Sequence, residues 1–281
     1  MKPPRIWRKL QRVSEALPPP RLSSMYAHIF TQPTPEEGLR SRVALPQGPN
    51  SNSIETLADF AVAKRGLPFT KLYHYFHIYE SQMRFLAERS RNEASQEPLR
   101  ILEIGVWRGG SLDLWRQYFG PRAIIFGVDI DKSCGSIPQV SGQIRIGSQV
   151  DRVFMESVVA EMGGLDIVID DGSHISQHVV ATFKILFPLL ADNGYYWIED
   201  LHTSYWPKWG GGLRRRNSSI EFLKGLVDEL HTSYFKRGPR SRLSPEEKSG
   251  LRSVEFFDSI ALIRKGTVAH PELFLGGDLM S

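Results

Sequence analysis

Two short apolar runs, Leu165–Ile169 and Gly194–Ile198, each lead straight into acids, and one helix-length segment, Ser176 to Leu190, separates them. A strand, a crossover helix and a second strand of these lengths make parallel neighbours with a right-handed crossover. Both acidic ends, Asp170-Asp171-Gly172-Ser173-His174 and Glu199-Asp200, then leave the sheet at its carboxyl edge. Open α/β sheets bind their ligands there.

The same alternation extends along the chain. Further strands are expected at Arg100–Gly105, Ala123–Asp129 and Gln143–Gly147, beside Leu165–Asp170 and Tyr195–Glu199. Helices are expected at Gly110–Tyr118, Gln149–Met162, Ser176–Leu190 and Ser218–Leu230, and Thr70–Arg89 carries apolar residues at mostly helical spacings. Ser253–Phe257 and Ser259–Arg264 flank Asp258 as a tight antiparallel pair. The pattern predicts an α/β fold, a doubly wound sheet closed by an antiparallel final strand. Residues 56–281 would form this domain. Residues 1–55, rich in Pro, Ser, Arg and Asn, read as a poorly ordered or loosely packed arm, in which Trp7–Ala16 is long enough for a short helix.

Bulk properties exclude several classes. With one cysteine, Cys134, the chain has no intramolecular disulfide and no thiolate metal cluster. A net charge of +4 is too small to argue for nucleic acid. No apolar run approaches the roughly 18–20 residues that span a bilayer. The basic N-terminus lacks the apolar region of a secretory signal. The expectation is a soluble, cytoplasmic protein with no membrane span and no nucleic-acid partner.

The first expected strand ends in Glu103-Ile104-Gly105-Val106-Trp107-Arg108-Gly109-Gly110-Ser111. Glycines there let a ligand approach the backbone, and the following helix N-terminus favours negative charge. The spacing is G-x-x-x-G-G, not G-x-G-x-x-G, and an acid at Glu103 would repel a pyrophosphate. An acid beside a glycine turn suits a cationic group instead, such as the α-amino end of S-adenosylmethionine. Asp129, 20 residues after Gly109 at the next strand end, stands where an acid hydrogen-bonds ribose hydroxyls. At the third strand end, Ser148, Gln149 and Asp151 either meet a nucleoside or cap the next helix.

Asp171, Glu199 and Asp200 supply three carboxylates from adjacent strands, the donor set of a hard cation such as Mg²⁺. Such an ion would orient acceptor hydroxyls and make one easier to deprotonate. His174 then stands as general base. A turn with a helix cap is the plain structural alternative for D-D-G-S-H. Zinc on His174 and His178 is disfavoured by the oxygen-rich setting. The segment Tyr205–Arg216 follows Asp200 directly. It reads as a mobile loop whose tryptophans stack on sugar, or as a solvated charge run.

Leu102-Glu103-Ile104-Gly105, Arg108–Leu112, Gly127–Ile130, Asp170–His174 and Ile198-Glu199-Asp200 together resemble the class I methyltransferases of the metal-dependent macrolide-sugar type. The resemblance covers about residues 60 to 265. Its most specific part is D-D-G-S-H followed by E-D, with 25 residues from His174 to Glu199. It implies a Rossmann-like fold with a mostly parallel seven-stranded sheet and helices on both faces. It implies an S-adenosylmethionine-dependent, Mg²⁺-assisted O-methyltransferase acting on a sugar hydroxyl of a natural product or glycan. By the resemblance Asp171, Glu199 and Asp200 bind the ion and His174 is the base. Glu103, Gly105, Gly109, Ser111, Asp129, Gln149, Asp170 and Asp171 are the expected cofactor-binding residues. The chain differs in its shorter glycine turn and in having an arm of about 50 residues in place of a large auxiliary domain, so whether it forms a homo-oligomer is open. A metal-dependent hydrolase or hydroxylase, and a nucleotide-binding module with a purely structural acid cluster, are the alternatives.

Overall fold

The computed structural model describes residues 56–92, 97–236, 243–267, 272–274 and 276. The expected arm over 1–55, with its helix at Trp7–Ala16, lies outside the described residues. Helices α1 (Leu57–Ala63) and α2 (Tyr73–Arg91) come first. Then strands and helices alternate as β1 (Arg100–Ile104), α3 (Gly110–Phe119), β2 (Ile124–Asp129), β3 (Gln143–Ile146), α4 (Arg152–Met162), β4 (Ile167–Asp170), α5 (Ser176–Leu186) and β5 (Tyr195–Ile198). Helix α6 (Ser219–Leu230) and the hairpin β6 (Leu251–Phe257) and β7 (Ile260–Lys265) follow.

One seven-stranded sheet runs in the order β3-β2-β1-β4-β5-β7-β6. β1 to β5 pair in parallel, and β7 is antiparallel both to β5 and to β6. The expected antiparallel strand is therefore β7, and β6 at the edge runs with the parallel set. The order reverses between β1 and β4, which opens a crevice at their carboxyl ends.

Element bounds shift where local chemistry overrides periodicity. α5 stops at Leu186, four residues short of the expected Leu190, because Pro188 has no N–H to continue the ladder. α4 begins at Arg152, since the Asp151 side chain accepts from the Phe154 amide and fixes the cap there. Gln149 is thereby left outside the helix. Residues 70–72 stay extended ahead of α2, which carries Lys71 away from the helix and towards the sheet edge.

Strand alternation sorts the core into two layers. Leu102, Ile104, Phe126, Val128, Val168, Tyr196 and Ile198 pack with α4, α5 and α6. Ile101, Ile125, Ile167, Ile169 and Trp197 pack with α1, α2 and α3. Tyr75, Tyr79, Trp115 and Trp197 are fully buried in that second layer. Each such side chain contributes about 1.5–3 kcal/mol or more, enough to offset burying a few charges among them. Among the described residues no helix is long and apolar enough to cross a membrane.

Candidate active site

Parity carries the acids to one place. Glu103 shares a face with Ile101, Asp171 continues from Ile167 and Ile169, and Glu199 continues from Trp197. β1 pairs with β4 and β4 with β5, so the three strand-end acids stand side by side over the α2 layer. Gly105 makes the approach possible. Its φ is +92°, and a Cβ there would lie 2.1 Å from the Asp171 carbonyl oxygen.

Lys71 sits among these acids. Its ammonium is 2.6 Å from Glu199 Oε1, 3.0 Å from Asp171 Oδ2 and 3.2 Å from Glu103 Oε1, with a side chain 0% exposed. Burial alone would push Lys71 down, but the three carboxylates outweigh it and hold its ammonium well above the ordinary lysine value. The Tyr79 hydroxyl donates to Glu199 Oε1 at 2.6 Å, and the Ser111 hydroxyl donates to Glu103 Oε2 at 2.6 Å. Burial and its acidic neighbours push both Asp171 and Glu199 above the usual carboxylate range, and Lys71 offsets only part of that.

A second group lies beside the first. Oxygen atoms of Asp171 and Asp200 and a ring nitrogen of His174 all fall within 4.8 Å of one another. His174 Nε2 is 3.8 Å from Asp171 Oδ1 and 3.7 Å from Asp200 Oδ2. His174 and Asp200 both adopt left-handed backbone, φ 55° for each. That costs a non-glycine residue about 1–3 kcal/mol and clusters at functional sites. At Asp200 it ends the strand alternation that would send the side chain to the α5 layer. Instead Asp200 Oδ1 meets the Tyr75 hydroxyl at 3.0 Å. Burial pushes the His174 imidazole below its ordinary value, so it is held neutral. Trp209 closes over it, edge to face at 6.1 Å between ring centroids.

The expected cofactor residues divide between rim and interior. Asp129 Oδ2 accepts from the amides of Val106 and Trp107 at 2.9 and 3.0 Å, and Oδ1 accepts from Asp131 at 2.9 Å. It thus pins the glycine turn. A carboxylate has about four acceptor sites, which leaves room for one more partner. Gly109 caps α3 in left-handed conformation. Gln149 is buried: its amide donates to Asp170 Oδ1 and Thr182 Oγ1, and its oxygen accepts from the Ser173 amide. Asp170 is buried with it, pushed up to about 7 by that burial, and its Oδ2 has no hydrogen-bond partner. This pair ties β3's exit to the D-D-G-S turn from inside.

The segment after Asp200 is built, not loose. Two 3₁₀ turns, Leu201–Tyr205 and Pro207–Trp209, fold it back, and Trp209 is buried. A Cβ on Gly211 would lie 2.1 Å from the Ser204 carbonyl oxygen. That glycine therefore allows close backbone packing against Ser204. Arg214, Arg215 and Arg216 are exposed, as a solvated run before the Ser218 cap of α6.

The residues that sequence reasoning missed are Lys71 and the polar tips of Tyr75 and Tyr79. The signal for Tyr75 and Tyr79 was their spacing of four on one side of α2; Lys71, in the extended lead-in, carried none.

No family model matches the chain. The chain is 32% identical over 209 residues to the mycinamicin VI 2''-O-methyltransferase of Micromonospora griseorubida, covering 70% of this chain and 50% of that protein. It is 36% identical over 206 residues to the 8-demethyl-8-(2-methoxy-alpha-L-rhamnosyl)-tetracenomycin-C 3'-O-methyltransferase of Streptomyces olivaceus, covering 69% of this chain and 50% of that protein. The chain spans half or less of the length of these curated relatives. In fold it matches the solved mycinamycin-pathway methyltransferase MycE in complex with Mg, SAH and mycinamycin VI, with TM-score 0.63, 31% identity and cover of 75% and 53% of the two chains. The chain carries the Rossmann-like class I methyltransferase fold and resembles, over most of its described residues, the metal-dependent macrolide-sugar O-methyltransferases.

Proposed function

We propose that the chain is an S-adenosylmethionine-dependent, Mg²⁺-assisted O-methyltransferase whose acceptor is a hydroxyl on a sugar of a natural product or glycan. One observation carries the reading: a neutral, buried imidazole stands between two carboxylate oxygens at the carboxyl edge, beside the glycine turn. The donor chemistry fits both groups. Four acids, Glu103, Asp171, Glu199 and Asp200, crowd the edge, and Lys71 alone supplies a matching ammonium among their described ion pairs. Added positive charge relieves that excess. The relatives' names, sugar O-methyltransferases of several pathways, support the acceptor class.

When bound, the cofactor supplies an electrophilic methyl carbon and the ion lowers the pKa of an acceptor hydroxyl. Asp171 and Asp200 would hold the ion through the oxygens that face His174, with Glu199 completing the set. His174 takes the acceptor proton at Nε2, and the nearby carboxylates favour the imidazolium that forms. Glu103, beside Ser111, would receive the cofactor's ammonium, Gly105 and Gly109 would border its methionine end, and Asp129 would hold the ribose hydroxyls. Gln149 and Asp170 shape this edge from below. Trp209 keeps water from the imidazole, so the proton moves in a low-dielectric setting.

Isothermal calorimetry with S-adenosylmethionine, with and without EDTA, tests the reading, followed by mass spectrometry of glycosylated acceptors for a product one methylene heavier. Absence of cofactor binding would overturn the methyltransferase reading. Full turnover in EDTA would remove the ion and leave the rest.

A further inference from the structure

Asp171 and Asp200 lie past the ends of their strands; the Asp171 amide still donates to the Ile104 carbonyl at 3.0 Å, which holds its backbone and leaves its side chain to turn. A carboxylate torsion is broad and roughly two-fold, so something else must choose which oxygen faces His174. The structure supplies that choice twice. Asp171 gives Oδ2 to Lys71 Nζ at 3.0 Å and turns Oδ1 to His174 Nε2. Asp200 gives Oδ1 to the Tyr75 hydroxyl at 3.0 Å and turns Oδ2 to the same nitrogen. We infer that Lys71 and Tyr75 are positioning residues, each holding one oxygen of a carboxylate so that its other oxygen is presented beside His174 for a divalent cation. The inference rests on the function proposed above and names residues that its ligand set does not contain.

The supporting shell is stiff. Lys71 is locked by three acids and lies 5.7 Å from the centre of the Trp115 ring. Tyr75 is fully buried, and burial and the Asp200 charge push its phenol well up, so it remains a donor. Its one proton has two acceptors in reach, Asp200 Oδ1 at 3.0 Å and the Ser259 carbonyl at 2.9 Å. The carboxylate is the stronger acceptor. The Asp200 amide donates to the same hydroxyl oxygen at 3.2 Å, closing a two-point clamp on that residue's left-handed turn. Tyr79 does the corresponding work for Glu199 through Oε1. Partners of this kind typically change metal affinity or activity by about 10- to 100-fold when removed.

The test uses the full chain with Mn²⁺ as probe, its free signal followed by electron paramagnetic resonance, with S-adenosylmethionine affinity and melting temperature measured in parallel. Tyr75→Phe removes one oxygen and keeps the ring. We expect it to weaken Mn²⁺ binding about tenfold or more while S-adenosylmethionine affinity stays within about twofold. Lys71→Arg, which keeps the charge and changes the reach to Asp171 Oδ2, should weaken Mn²⁺ binding as well. Mn²⁺ affinity in Tyr75→Phe equal to wild type would overturn the inference. So would, in Tyr75→Phe, a parallel fall in cation affinity, cofactor affinity and melting temperature, the mark of a merely structural role. No Mn²⁺ binding by the wild-type chain would sink the cation reading beneath it, a result distinct from either.

Discussion

The acids at the carboxyl edge form two groups that share Asp171 and differ in where their positive charge comes from. Around Lys71, the chain supplies its own cation: Glu103 and Glu199 are 0% and 2% exposed at the side chain and meet a fully buried ammonium. Around His174, the described ion pairs of Asp200 are with the imidazole alone, and the two carboxylates are 19% and 26% exposed. The first group is regular strand-end geometry closed around an internal ammonium, which offsets part of its three negative charges. The second sits on left-handed backbone at His174 and Asp200 with its electrostatics open. Asp171 joins the two groups: its Oδ2 meets Lys71 and its Oδ1 faces His174.

The largest effect should come from breaking the open group. His174→Ala is expected to lower turnover about 10²- to 10⁴-fold, the range for loss of a general base. Cofactor affinity and melting temperature should stay near wild type, since Trp209 and the D-D-G-S turn remain. Single-turnover kinetics beside calorimetry checks this, and unchanged turnover would remove His174 as the base.

Breaking the closed group should cost stability instead. Lys71→Met leaves Glu103 and Glu199 buried without their partner, and removing one side of a buried ion pair costs about 3–5 kcal/mol. Urea unfolding at fixed pH measures it. A loss under about 1 kcal/mol, the worth of an exposed pair, would show that the Lys71 group is solvated and erase the distinction between the two groups. A smaller, opposite effect is expected from filling the open group. Mg²⁺ at 100 times its dissociation constant should stabilise the fold by about 2.7 kcal/mol. Asp200→Asn should abolish that gain, and a gain unaffected by this change would place the ion elsewhere.

The closed group's acids were legible in the sequence and its cation was not. Ile101/Glu103, Ile169/Asp171 and Trp197/Glu199 are two-residue steps along strands, so alternation alone predicts that the three acids share a face. The parallel order that sets them side by side followed from the crossover between Leu165–Ile169 and Gly194–Ile198. Lys71 lies in an extended lead-in with no period of its own, and its partners are 32, 100 and 128 residues away. No local rule joins it to them. The open group was legible as residue types, D-D-G-S-H and E-D, but not as geometry. Which oxygen faces His174 depends on left-handed turns and on Tyr75, an aromatic residue that reads from sequence as ordinary core. Gln149 was legible as a polar group at a strand end, but its bonds to Asp170, Thr182 and Ser173 were not.

A last comparison isolates burial from pairing, the two terms that compete at Lys71. Cys134 is buried at the glycine turn, where its thiol donates to the Trp107 carbonyl at 3.1 Å and lies near Asp129. Burial first, and then the Asp129 charge, push its thiol up to about 12. Lys71 is buried more deeply and keeps its charge only because three acids surround it. At pH 9 an exposed thiol of ordinary pKa is about three-quarters thiolate, whereas one at 12 is about one part in a thousand. The full chain should therefore react with a disulfide reagent at pH 9 hundreds of times more slowly folded than in denaturant. Rapid labelling of the folded chain would mean that the glycine turn opens to solvent. Burial at this rim would then be too weak to fix a charge state, and the contrast with Lys71 would have to rest on its acids alone.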